Sequence, residues 1–487
     1  MCPLYPFHMI LLYLCLLLPL LFAIVEGAEE LVSFGIIPSR SMKLTEYDST
    51  ELKATCVNCP PELKELTLST SSKKVAWISA VEGSDIYHQK RSLLESDYDQ
   101  SVVVPLREGQ VGNWTIAFNV TADFLGFSKI KASLSPSSLV PSSTLKMSVL
   151  RRPTVASRIF TSSVAILISL AYINMGCAMD LDVVKSNLKS PVGPIIGFLS
   201  QFIAMPLISF ALGFVFVDSA PLRLGLFVTG VSPGGGASNI WTLMLGGSLD
   251  LSLTMTTIST LSAFFMMPLW LFTLGQFIFD KTDIVIPYLK ILTYATCLIV
   301  PLLIGVGIKI KAPRVSKFMV SILKPMALAL LLFIIVFGIY ANQYIFYIMD
   351  YKVWCVGMAL PWFGFMFGWI VSILCDRKME DKIAIAIETG IQNTGVSIFI
   401  LWFTLDRPLG DLAAVIPVGA AMMTPIPLLC GLIFLKIKST FCAKSTEYTS
   451  GNIEDGSFTR DGKAALSTVS SIVKLSALDN RNLEPLA

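Results

Sequence analysis

From Ile159 onward the sequence is a succession of apolar stretches, each about 20 residues or longer, the length that a helix needs to cross a bilayer. They begin near Ile159, Pro191, Pro221, Leu251, Pro287, Lys317, Lys352, Glu380 and Leu409. In hydrocarbon a single segment satisfies its own backbone hydrogen bonds only as a helix, so the pattern restricts the fold severely. Composition agrees. With 54% hydrophobic and 15% charged residues among 487, and a mean hydropathy of +0.70, the chain has too little polar surface for a soluble globule of its size. The reading is an all-α polytopic membrane protein of about nine transmembrane helices, with the lipid bilayer as a partner.

The first part of the chain is different. Residues 1–27 hold the apolar run Leu11–Ile24 followed by Val25-Glu26-Gly27, which suits a signal peptide and its cleavage site. The basic start of such leaders is missing, so an uncleaved first transmembrane helix is the alternative. Residues 28–150 show period-two alternation in Ser101–Leu106, Asn113–Thr121 and Leu145–Leu150, broken by Gly, Pro and Ser. That reads as a small β-sandwich-like ectodomain, luminal or extracellular. Asn113-Trp-Thr and Asn119-Val-Thr are glycosylation sequons, and two in one luminal region support each other. Cys56 and Cys59 suit a short loop disulfide in an oxidising space, with a bound metal or free thiols as alternatives.

Basic residues gather in alternate connections, among them Lys185, Lys309, Arg314, Arg377 and Lys382. The positive-inside rule then puts the N-terminus outside and the C-terminus in the cytoplasm of a plasma-membrane or secretory-pathway protein. The membrane region is taken as residues 159–438, and residues 445–487, Ser/Thr-rich and charged, as a disordered cytoplasmic tail.

Several function classes drop out. The net charge of +3 is spread out, with no basic stripe interleaved with aromatics, so nucleic acid is not a partner. The histidines are His8 and His88 alone, which leaves no histidine general base in the membrane region. The ten cysteines form no zinc-type cluster. With neither a nucleophile–base pair nor a cofactor loop, the chain is not read as an enzyme and needs no cofactor.

Two apolar stretches are interrupted at their middle. The third contains Ser232-Pro-Gly-Gly-Gly-Ala-Ser-Asn239, with Gly234, Gly235 and Gly236, and the eighth contains Ile387-Glu-Thr-Gly-Ile-Gln-Asn-Thr-Gly395, with Gly390. A helix breaks at mid-depth only where protein or a water-filled cavity satisfies the freed backbone. For the first break alone, a kink that merely lets helices pack closely is the alternative. Glu388 in the second break changes the balance. A carboxylate at that depth costs on the order of 2.5–3.5 kcal/mol, and no basic side chain in these stretches is an obvious partner; a bound cation supplies one. The breaks lie five stretches apart, so the chain enters the second from the opposite face, as in the inverted repeats of secondary transporters. Oxygen donors occur at fitting places: Ser252 and Thr256 on one helix face, and Gln201 alone in the second stretch. Hydroxyls and amides around one carboxylate suit Na⁺ and no softer metal.

These motifs resemble the sodium/bile acid cotransporter family: Met175-Gly-Cys-Ala-Met-Asp-Leu-Asp182, Phe198-Leu-Ser-Gln-Phe-Ile-Ala-Met-Pro206, and the two interrupted segments with the Thr-rich stretch after Leu249. The resemblance implies a core domain with two crossing broken helices and a mobile panel domain. It implies a first sodium site at Ser238, Asn239, Ser252, Thr256 and Glu388. A second would use Gln201, Glu388 and Gln392 with the carbonyls of Thr389 and Ile391. The long ectodomain departs from well-characterised members and is similar to the orphan branch. The expected activity is sodium-coupled symport of an amphipathic organic anion, bile-acid-like or a sulfated steroid. A non-transporting glycosylated receptor or scaffold with the same fold is the alternative, and deletion of residues 28–150 is the change expected to separate the two. Homo-oligomerisation is left open.

Overall fold

The structure is a computed structural model that describes residues 33–437, leaving out 40, 82–99, 107–111, 138–139, 180, 188, 190, 280–288, 291–292, 294–296, 298, 323–332, 334–335 and 339. The expected signal peptide at 1–27, both histidines and the expected tail at 445–487 lie outside the described residues.

Nine strands precede the helices: β1 Ser33–Ile37, β2 Met42–Thr45, β3 Ser49–Cys59, β4 Glu65–Thr70, β5 Ala76–Val81, β6 Gln100–Pro105, β7 Gly112–Ala122, β8 Gly126–Ser135 and β9 Ser143–Leu150. They form two sheets, ordered β1-β3-β7-β5 and β2-β9-β8-β4-β6. Alternation sets the layering. In β7 Trp114, Ile116, Phe118 and Val120 point inward while Asn113, Thr115 and Asn119 are exposed, and the inward set shares one core with Leu66, Leu68, Ile130 and Leu145 of the other sheet. Both sequon asparagines therefore sit on one outer face. Cys56 and Cys59 are bonded to each other at the end of β3, around Asn58 at φ 58°.

The helices used below are α1 Val155–Ala178, α2 Val192–Phe216, α3 Ala220–Val231, α4 Ala237–Met244, α5 Leu249–Phe272, α6 Ile299–Lys311, α7 Tyr351–Leu374, α8 Met379–Gly390 and α9 Thr394–Thr404. Side chains start several of them. Thr154 Oγ1 accepts from Ser157 N at 3.1 Å before α1, and Asp350 Oδ1 from Val353 N at 2.8 Å before α7. Helix α2 contains one wide π turn, Ser200–Ala204.

Among the described residues five helices are long and apolar enough to cross a membrane: α1, α2, α5, α7 and Leu409–Ile437. The expected nine are not all counted. The third and eighth stretches are each divided into half-helices, α3/α4 and α8/α9, too short to qualify as single spans. The fifth and sixth run through residues outside the description.

Helices meet where glycines remove the barrier. A Cβ on Gly364 of α7 would stand 2.8 Å from the Gly390 Cα, and one on Gly368 would stand 2.9 Å from the Ala386 Cα, so α7 lies backbone to backbone on α8. Gly176 of α1 and Gly305 of α6 approach in the same way, with a Gly305 Cβ falling 2.9 Å from the Gly176 Cα. The contacts of Gly364 and Gly368 fix the half-helix α8, and with it Glu388.

Candidate functional site

The two interruptions lie against each other. Gly234 and Gln392 form an antiparallel β-bridge; Gly235 N donates to Ile391 O at 2.8 Å and Asn393 N to Pro233 O at 2.9 Å. Backbone groups freed by each break are thus satisfied by the other, which solves the problem an unwound segment faces in hydrocarbon. Only a residue without a side chain fits this crossing. A Cβ on Gly234 would run into Glu388 Oε1, and one on Gly235 would lie 3.0 Å from Gln392 O. Gly236 stands in the same break with open space around it, and Gly390 is held against the Phe365 ring.

Glu388, 2% exposed, closes the end of α8 beside this crossing. Its Oε2 accepts from Ser238 Oγ at 2.5 Å and Ser252 Oγ at 3.3 Å, and its Oε1 from Thr256 Oγ1 at 2.7 Å. Among the described residues no ion pair includes Glu388. Asn239 completes the group: its Oδ1 lies 2.9 Å from Ser252 Oγ and 3.3 Å from Thr256 Oγ1. Thr256 Oγ1 is also 2.9 Å from Ser252 O. A proton count follows. Ser252 and Thr256 each carry one hydroxyl proton, yet between them they face five acceptor contacts, so oxygen lone pairs are left over. A hard cation uses such a surplus; a softer metal prefers sulfur or imidazole, which this set lacks.

A second group flanks the first. Gln201, 2% exposed, projects from the π turn of α2; its Nε2 donates to Ser232 O at 2.6 Å and to Gln392 Oε1 at 2.7 Å. Gln392 Nε2 donates to Thr389 O at 2.7 Å. The wide turn has a visible consequence at Phe202, whose carbonyl accepts from Trp270 Nε1 at 2.7 Å. The structure therefore brings Ser238, Asn239, Ser252, Thr256 and Glu388 into one cage and Gln201, Gln392 and Thr389 O into another. The hydrogen bonds of Glu388 all go to the first, while Ile391 O is engaged by Gly235 N.

Three positions escaped sequence reasoning. Ser259 Oγ accepts from Gly234 N at 3.2 Å, and Ser232 and Ser397 share a hydroxyl contact of 2.7 Å across the crossing. Ser252, Thr256 and Ser259 follow four- and three-residue steps, so Ser259 was readable as part of the same polar helix face. Ser232 stood at the start of the first interruption with nothing to mark its partner, and Ser397 gave no signal, because a serine in an apolar helix ordinarily bonds its own backbone.

Comparison with known proteins gives the family. The sodium bile acid symporter family matches residues 165–349. The ileal sodium/bile acid cotransporter of Homo sapiens is 35% identical over 243 residues, which cover 49% of this chain and 69% of that protein. This chain belongs to the sodium bile acid symporter family. The hepatic sodium/bile acid cotransporter of Rattus norvegicus is 32% identical over 232 residues, covering 47% of this symporter-family chain and 64% of the other. The P3 protein of Mus musculus is 31% identical over 260 residues, 53% of this chain. The chain spans little more than half the length of the P3 proteins it matches, 54% to 59%. Its apolar helices and its membership of this symporter family indicate a multi-pass membrane protein.

Proposed function

We propose that this protein is a secondary active symporter that couples sodium entry to uptake of an amphipathic organic anion, bile-acid-like or a sulfated steroid. The observation that carries the reading is Glu388: a buried carboxylate hydrogen-bonded only by hydroxyls, at the crossing of two unwound segments, with more acceptor oxygens around it than protons. Sodium is cargo here. Bound among Ser238, Asn239, Ser252, Thr256 and Glu388 it neutralises the carboxylate and fastens α4, α5 and α8 together; Gln201, Gln392 and the carbonyls of Thr389 and Ile391 hold a second ion, with Glu388 shared by both sites. The start of the helix after Gly236 carries the positive end of a helix dipole, which favours the anionic end of the substrate. Core and panel then rock to expose the site to the other side.

The full topology belongs to the same proposal: nine crossings in inverted repeats, a glycosylated ectodomain outside at residues 28–150, and a cytoplasmic tail. The names of the relatives support sodium and bile acids as the first candidates. Uptake of radiolabelled bile salts and steroid sulfates, with sodium and with choline in its place, tests the reading. Uptake is expected to need sodium and to vanish in Glu388→Ala at equal surface expression. Uptake indifferent to both would reject it.

A further inference from the structure

The β-sandwich does not hang from the membrane region by its linker alone. Leu125, in the β7–β8 turn, is 1% exposed and packs in one apolar cluster with Tyr344, Ile345, Met349 and Val353. Beside it Phe124 meets Tyr347 edge-on at 6.5 Å, and Lys74 Nζ donates to Tyr347 O at 3.1 Å. Arg151, which follows β9, is 8% exposed. Its Nη1 donates to Asn342 Oδ1 at 3.0 Å and its Nη2 to Ala341 O at 3.3 Å, with the guanidinium 4.7 Å over the Tyr344 ring. Burying an arginine is expensive unless its donors are met, and here partners from the membrane region meet them.

One carboxylate ties these attachments together. Glu46, 8% exposed, accepts from Leu125 N through Oε1 and from Arg152 N through Oε2, both at 3.2 Å. The turn that plugs the cluster and the linker that carries Arg151 are thereby held by a single side chain of the sandwich. On the membrane side the path continues. Tyr344 Oη donates to Asp411 O at 3.3 Å. The helix Leu409–Ala413 lies so close behind α3 that a Cβ on Gly225 would strike Ala413 O. Helix α3 ends in the interruption that begins at Ser232.

We propose that the ectodomain is a brace whose positioning residues, Glu46 and Arg151, act through Tyr344 and Asp411 on α3, so that the sandwich sets the resting position of the crossing. It follows that deletion of residues 28–150 strips the cover from Tyr344 and Ile345, and does not separate transporter from receptor as the sequence alone led us to expect. The packing is local, buried and continuous, and a brace of this kind loosens stepwise when one contact is cut.

Hydrogen–deuterium exchange of the full-length, detergent-solubilised protein, with no added substrate, tests this. In Arg151→Ala, peptides covering 341–349 and 409–413 are expected to exchange about tenfold faster than in wild type, with a smaller rise over 220–236, while β3 and β7 keep their protection. Should Arg151→Ala unfold the sandwich, Tyr344→Phe decides: it removes only the hydroxyl on Asp411 O, and is expected to loosen 409–413 and 220–236 while 341–349 stays protected. Unchanged exchange over 409–413 and 220–236 in the folded variant overturns the brace. Because no substrate is present, the result is independent of whether uptake proves to be sodium-coupled.

Discussion

Two glycines separated by a single residue are expected to behave oppositely, because Gly234 faces Glu388 Oε1 whereas Gly236 faces open space. Gly234→Ala is expected to remove sodium-dependent uptake, since a methyl there displaces the carboxylate from Ser238 and Thr256; Gly236→Ala is expected to stay within about twofold of wild type. Equal losses in both, at matched surface expression, would mean that the break needs flexibility and not the close approach. Ser259→Ala leaves the buried Gly234 N–H without its hydroxyl acceptor, at a cost of about 1–3 kcal/mol, and is expected to raise the half-saturating sodium concentration about tenfold. At this scale the candidate cage was legible because a carboxylate, an amide or a proline inside an apolar stretch is costly and draws notice. Ser259 was less so: its hydroxyl also lies 3.1 Å from Thr256 O, the ordinary local bond that makes a helix serine look unremarkable.

The half-helix α8 owes its position to α7, and the glycines that let them touch, Gly364 and Gly368, are four residues apart on one face. A Gly364→Ala methyl would stand 2.9 Å from Thr389 O as well as against Gly390, so the variant is expected to lose about 1–3 kcal/mol of stability. Gly307→Ala on α6 is the control: nothing lies within 4 Å of its Cβ, and alanine is the better helix former by up to about 1 kcal/mol. Thermal unfolding in detergent should therefore place the Gly364 variant below wild type and the Gly307 variant at or above it. Both helix interruptions were legible from Pro, Gly and Asn. The π turn under Gln201 was not, because no residue type marks an i→i+5 bond. In the sandwich the strands followed from alternation, but the parallel pairing of β2 with β9 depends on residues about a hundred positions apart, where local pattern is silent.

Among the described residues, contacts between connections sort into two sets that do not mix. One set joins Arg151 to Asn342, Lys74 to Tyr347, Lys352 to Asp218 at 3.2 Å and Lys290 to Asp406 at 3.0 Å. The other joins Asn187 Nδ2 to Asp250 O at 3.2 Å, Ser248 N to Glu380 O at 3.0 Å and Lys309 Nζ to Met179 O at 2.5 Å. The first set lies in the ectodomain, or in connections and stretch ends that the distribution of basic residues places outside; the second lies in connections and stretch ends placed inside. The seating of Leu125 among Tyr344 and Ile345 was invisible in the sequence, since an apolar residue in a turn reads the same whether it meets solvent, lipid or a neighbouring domain. Charge asymmetry and contact geometry are independent, and their agreement supports an alternating topology that a single labelling experiment can break. In a chain whose other unpaired cysteines are serine, Asp218→Cys, at a side chain 92% exposed, is expected to react with a membrane-impermeant maleimide on intact cells. Asn187→Cys is expected to react only after the membrane is permeabilised. Labelling of both from outside would place two faces of one bilayer on the same side, and neither the proposed inverted crossing nor the proposed sodium site would survive that result.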